Sequence, residues 1–302
     1  MCTVQPNRSR LREHVAMLTR TIGERSLRKP ESLGRTAEYI QGVYQGLGLE
    51  TRREPYVYGD LEVANIIARL EGDSPEGRRY LLGAHYDTVS GTVGADDNAS
   101  AVAVQLETAR CLTELGPAEQ SVSFVSFALE EPPAFGTRFM GSKVHVRNLK
   151  KRRERLDGML CLEMVGYACY TPGCQDYPIS LKRLIPSDMG DFIAVVGSTG
   201  SRRLTRDIKQ AFQDNPDLPV FALNVPLKGA LLPPVRMSDQ APFWDAGYKA
   251  VMITDTAFYR NPHYHKASDT METLDFGFMA ELVESLVCFF DSAGLRQRLE
   301  NS

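Results

Sequence analysis

Tyr80-Leu81-Leu82-Gly83-Ala84-His85-Tyr86-Asp87-Thr88 is an apolar run that turns polar at its carboxyl end. A short apolar run of this kind fills a buried strand. Downstream, Asp96-Asp97-Asn98 offers N-cap side chains ahead of a helix over 99–115. The run 122–129 repeats the buried-strand signal until Pro132-Pro133, which have no N–H for a ladder, stop it. Further on, 159–164, 192–196, 219–223 and 250–254 read as strands, 201–213 and 240–245 as helices, and 276–290 as a long amphipathic helix. Upstream, 9–23 and 32–47 show helical spacing, and 53–58 and 63–70 read as strands. Strands alternating with helices predict the α/β class, a three-layer α/β/α sandwich around a mixed, largely parallel twisted sheet. No linker composition interrupts the chain, so residues 1–302 read as a single domain.

In such sheets ligands gather beyond the carboxyl ends of the strands. His85 and Asp87 follow the first buried strand, and Asp97 opens the next helix. Glu130-Glu131 end the following strand, Glu163 lies late in another, and His265 falls in the loop after the last. One acid or imidazole at a strand end is usually a solvated terminus. Several at successive strand ends, in apolar surroundings, are hard to explain as surface. Imidazole and carboxylate donors without thiolates suit zinc, with cobalt or manganese also compatible.

The motifs are more specific than the pattern. Gly83-Ala84-His85-Tyr86-Asp87-Thr88, Gly94-Ala95-Asp96-Asp97-Asn98-Ala99-Ser100 and Leu129-Glu130-Glu131-Pro132-Pro133 with Met140-Gly141-Ser142 resemble the zinc aminopeptidase family, metallopeptidase family 28. So do Leu162-Glu163-Met164, Ser238-Asp239, and Asn261-Pro262-His263-Tyr264-His265 followed by Asp269-Thr270. The six matches run in family order. The family is related in fold to glutamate carboxypeptidase and glutaminyl cyclase, and the resemblance implies the zinc-peptidase fold.

It also implies roles. His85 and Glu163 would hold one of two zinc ions, Glu131 and His265 the other, and Asp97 would bridge them. A carboxylate has two oxygens and can link ions about 3.5–4 Å apart. Asp87 would hydrogen-bond the free nitrogen of His85 and fix its tautomer. Glu130 would act as general base on a water activated by the ions, and hand the proton to the leaving amine. The peptide bond after Asp97 would be cis. Peptides are the implied substrate, cut at the N-terminus. A carboxypeptidase on the same fold is the alternative, with Arg236 as the cation for a substrate carboxylate. A glutaminyl-cyclase-like acyltransferase with one zinc is the further one.

Arg236, Asp239 and Phe243 are candidates to touch substrate, although Phe243 and Trp244 fit core packing as well. His14 and His145 read as structural, and His263 as a decoy for His265. Family members often read His where Gln240 stands and Gly where Ala101 stands; neither is a proposed ligand. The formal net charge of −3 gives no electrostatic reason to expect nucleic acid or an anionic membrane as partner. The basic run Lys150-Lys151-Arg152-Arg153 reads as a solvated turn. No apolar window is long enough to span a membrane, and the first residues lack a signal-peptide core, so the cytoplasm is expected. Cys111, Cys161 and Cys288 read as core thiols, and Cys169 and Cys174 are expected to stay reduced there. Oligomeric state is not legible.

Overall fold

The computed structural model describes residues 5–116, 118–178 and 187–300. Residues 1–4, part of the N-terminal reading above, lie outside them. Helix α1 (Arg8–Ala16), prolonged by a π turn at Met17–Ile22, and α2 (Pro30–Gly46) precede the hairpin of β1 (Glu50–Tyr58) and β2 (Leu61–Leu70). Then come β3 (Arg79–His85), α3 (Ala101–Leu115), β4 (Ser121–Phe127), α4 (Gly141–Arg152) and β5 (Gly158–Glu163). The chain continues through β6 (Ile193–Ser198), α5 (Arg202–Phe212), β7 (Val220–Val225), α6 (Gln240–Ala246), β8 (Ala250–Thr254) and α7 (Phe276–Glu300).

The strands form one sheet in the order β1-β2-β4-β3-β5-β8-β6-β7. Its centre, β4-β3-β5-β8, is parallel throughout, while β1-β2, β2-β4 and β8-β6 pair antiparallel. Successive side chains of a strand face opposite ways, and here both ways are covered. Leu82, Leu160 and Ile253 pack under α1, α2, α3, α5 and α7, whereas Leu81, Val125 and Met159 pack under α4 and α6. Burial on both faces is what turns these strands into near-continuous apolar runs. The four parallel strands also place all their carboxyl ends along one edge.

Two expectations need correction. The helix after Asp97 begins at Ala101, and its N-cap residue Ser100 makes no side-chain cap bond. Asp96 instead accepts from the Gly166 amide at 2.9 Å, and Asn98 spans the Leu162 carbonyl and the Met164 amide. Cross-links to the β5 exit thus take the side chains that a cap would have used. Cys169 and Cys174 are joined by a disulfide, their Cα atoms 6.3 Å apart. The turn between them and the antiparallel bridge from Cys169 to Gly190 bring them together. The expectation that these two thiols stay reduced is thereby overturned. Among the described residues no helix is long and apolar enough to cross a membrane.

Candidate metal centre

Each strand of the parallel centre delivers one part of a buried cluster. β3 ends on His85 and β5 on Glu163. Leu129 (φ 58°) turns the chain out of β4, so that Glu130 and Glu131 follow at a break in the extended backbone. Thr256 and Ala257 (φ 88° and 51°) do the same beyond β8, and His265 itself has φ 57°. Such left-handed conformations are uncommon for residues other than glycine and gather where surrounding structure enforces them.

The cluster has two halves sharing Asp97. His85 Nε2 lies 3.4 Å from Asp97 Oδ1 and 3.6 Å from Glu163 Oε2. His265 Nε2 lies 3.1 Å from Asp97 Oδ2 and 3.4 Å from Glu131 Oε1. Donor atoms about 2.1 Å from a tetrahedral zinc stand roughly 3.4 Å from one another, so both triads have the spacing of a ligand sphere. Three donor atoms, His85 Nε2, Asp97 Oδ1 and Glu131 Oε1, are buried without a hydrogen-bond partner. Buried polar atoms are otherwise nearly always satisfied. His85-Asp97-Glu163 and Asp97-Glu131-His265 could each hold a metal ion, with a cis peptide between Asp97 and Asn98.

Electrostatics point the same way. Burial, then Asp97, pushes the Glu131 carboxyl up to about 8, and burial also raises Glu163. Burial alone would lower His85, but Glu163, Asp87 and Asp97 outweigh it and hold the imidazole well above its ordinary value. His265 likewise overcomes burial through Asp97 and Glu131 and reaches about 10. A cluster this crowded with acid oxygens retains protons that a divalent cation would displace.

A family model described as peptidase family M28 matches residues 65–288, which include every member of the cluster. The chain belongs to peptidase family M28. As an M28 metallopeptidase it is 38% identical over 285 residues to the uncharacterized protein YfbL of Escherichia coli, covering 92% of this chain and 85% of that one. It is 24% identical over 272 residues to a probable zinc metalloprotease of Leptosphaeria maculans, of whose length it spans 59%. Among solved structures it is similar to BSAP, a zinc aminopeptidase from Bacillus subtilis, with TM-score 0.74, 14% identity and coverage of 95% and 94%. The glutaminyl cyclase of Tannerella forsythia gives TM-score 0.68 and 19% identity, with coverage of 95% and 98%.

The other predicted residues of this M28 peptidase fall into two groups. Asp87 reaches the cluster: its Oδ1 is 3.4 Å from His85 Nδ1, which also meets the Asp87 carbonyl at 3.2 Å. Arg236, Asp239 and Phe243 stand apart from the apolar pocket described below. The Arg236 guanidinium pairs with Asp245 and donates to the Lys228 carbonyl. Asp239 is fully buried, and that burial raises it to about 7. Phe243 packs between Phe127, His145 and Tyr248, and Trp244 donates to the Ala250 carbonyl, so α6 contributes core. His145 pairs with Glu54, His14 with Tyr39, and His263 with Ser268, all outside the triads.

Sequence reasoning missed three contributors. Asp269 accepts the Asp96 and Asp97 amides at 2.8 and 3.1 Å, while Asp87 accepts those of Glu130 and Glu131 at 2.9 and 3.0 Å. Each carboxylate therefore clamps the two-residue segment that carries a donor. Arg25, fully buried, donates to the carbonyls of Tyr86, Val93 and Gly94 and fixes the loop between His85 and Asp97. Tyr264 stacks on His265, with ring centroids 3.8 Å apart. Only the Asp-Asp and Glu-Glu doublets signalled that such clamps were needed. Asp269→Asn keeps one acceptor oxygen but puts an amide NH2 against the other of the two backbone donors. It is expected to weaken zinc affinity about 10–100-fold, the usual cost of losing such support, as read by competition with a chromogenic chelator; Asp87→Asn should do the same.

Proposed function

We propose that this M28 peptidase is a cocatalytic di-zinc aminopeptidase that releases N-terminal residues with large apolar side chains. One observation carries the two-ion reading: the oxygens of Asp97 point apart, one to His85 and one to His265. A single-zinc acyltransferase would leave one of the two triads without a purpose. Bound zinc ions would lower the pKa of water toward about 7 and polarise the scissile carbonyl.

The protein's own groups would do the rest. Glu130 belongs to neither triad; its nearest basic atom is His85 Nε2 at 4.0 Å. Burial, followed by Glu131, Glu163 and Asp239, holds its carboxyl well above the usual range. Asp87 fixes its backbone amide, so Glu130 would take a proton from water and deliver it to the leaving amine. The Tyr264 phenol, whose ionisation is suppressed by burial and by Asp97, Glu131 and Glu163, stays protonated and would donate to the substrate carbonyl oxygen.

Beside Glu163 and Tyr264 opens an apolar pocket walled by Phe192, Ala194 and Val196, by Phe221 and Leu223, and by Met237 and Phe258. No arginine or lysine lines it among the described residues, and Arg236 is held elsewhere. An apolar side chain would fill it, the surrounding carboxylates would welcome an α-ammonium group, and a substrate carboxylate would find no counter-charge. The test compares one Leu- or Phe-initiated peptide in free, N-acetylated and C-amidated forms. Acetylation should eliminate cleavage and amidation should leave it nearly unchanged. Cleavage that survives acetylation and is lost on amidation would sink the aminopeptidase reading in favour of a carboxypeptidase.

A further inference from the structure

Far from the metal centre, α4 stops short of covering its face of the sheet. Its last turn carries Lys150, Lys151 and Arg152, and Arg153 ends it with φ 52°. The bare stretch of sheet beyond it forms the floor of a groove. The floor takes side chains from four adjacent strands: Arg52 of β1, Arg69 of β2, Ser121 and Ser123 of β4, and Arg79 of β3. Their pairing register, Arg52 to Ile67, Arg69 to Ser123 and Ser121 to Arg79, places the three arginines on one face. A connected recess is lined by the same arginines with Arg152 and Glu154.

Not all of this charge is compensated. Arg69 and Arg152 share Glu154, Arg69 also faces Glu71 at 3.5 Å, and Arg155 pairs with Asp157. The guanidinium groups of Arg52 and Arg79 make no hydrogen bond or ion pair among the described residues. Burial, then Arg152, lower the Arg52 pKa against the opposing pull of Glu54 and Glu154. Glu71, Glu154 and the carbonyl end of α4 would each repel an anion; Arg69 and Arg152 pair with the two carboxylates, and the basic residues of the last turn offset the helix end.

We propose that this groove is a binding site for a small anion carrying two or more phosphate groups, gripped by Arg52 and Arg79 from opposite ends. The guanidinium fork matches phosphate oxygens, and Ser123, half-buried on the floor, adds a hydroxyl between the two. Arg52 and Arg79 rise from strands three spacings apart, about 14 Å, and are offset along the sheet by about 13 Å. The two Cα atoms therefore stand about 19 Å apart, and extended guanidinium side chains narrow that to a gap that linked phosphates fill better than a lone carboxylate. Of the basic run at 150–153, Arg152 lines the recess, and all four residues are exposed.

Calorimetric titration of the zinc-loaded full chain with inorganic diphosphate tests this. The ions' own affinity for diphosphate is common to every variant, so only the groove component differs. The double variant Arg52→Ala/Arg79→Ala should weaken diphosphate at least tenfold, the loss of even one charge-assisted contact at about 1.5 kcal/mol, and about a hundredfold where both are made. Peptide hydrolysis in the absence of diphosphate should be unchanged. The Arg52→Lys/Arg79→Lys variant keeps the charge but loses the fork, and should fall between the two. A loss below tenfold in the alanine variant overturns the site. Equal arginine-dependent binding of citrate overturns its phosphate character.

Discussion

Glu130→Gln should retain full zinc content while its turnover drops by at least ~10²–10⁴, the range expected when a general base is lost. Glutamine keeps the size and the backbone amide that Asp87 holds, but it cannot carry a proton from water to the amine. Glu131→Gln should behave differently, because its Oε1 lies in the triad with Asp97 and His265. There the metal itself should be lost, and activity should return in part when zinc is supplied in excess. Metal analysis beside turnover at saturating peptide separates the pair. Near-normal turnover in Glu130→Gln would move the base elsewhere.

Stripping the protein with a chelator should abolish hydrolysis and lower its melting temperature by several degrees. The motive is the charge left behind, a set of buried acids facing two imidazoles. A ligand at 100 times its Kd stabilises the folded state by about 2.7 kcal/mol per site. Back-titration should saturate at two equivalents; full activity with one equivalent would refute the cocatalytic arrangement. The affinity should also weaken as pH falls. Glu131, raised to about 8, and His265, raised to about 10, must shed protons before they can donate to a metal. Zinc competition assays at pH 6 and 8 would show this directly.

Much of this was legible because parallel strands buried on both faces announce themselves as apolar runs, and their polar terminators then stand out. His85, Glu163 and the Glu130-Glu131 doublet are of that kind. Contacts between distant segments left no such mark. Asp269 stood out as part of a motif, but nothing local showed that it reaches back to the Asp96 and Asp97 amides, and nothing marked Arg25, which ties down a loop some 60 residues later. Phe243 and Arg236 illustrate the converse. Their neighbours in sequence suggested contact with substrate, but packing on α6 and an ion pair with Asp245 took them elsewhere. Asp96 and Asn98 look like capping residues, and they are used as cross-braces because buried amides on the β5 exit had to be satisfied.

The left-handed residues at the strand exits divide the enzyme into a part that evolution can edit and a part it cannot. Leu129 and Ala257 hold backbone conformations that few side chains tolerate, and β-branched replacements there would meet a steric penalty before any chemistry was tried. The pocket walls follow other rules. Ala194 and Val196 on β6, and Phe221 and Leu223 on β7, occupy ordinary extended positions. Exchanges among them change volume and polarity without disturbing the turns that aim the metal donors. On the proposed reading of the pocket, a lineage built on this scaffold can drift among peptide side chains while its hydrolytic apparatus stays fixed, and a designer seeking new selectivity should randomise β6 and β7 first.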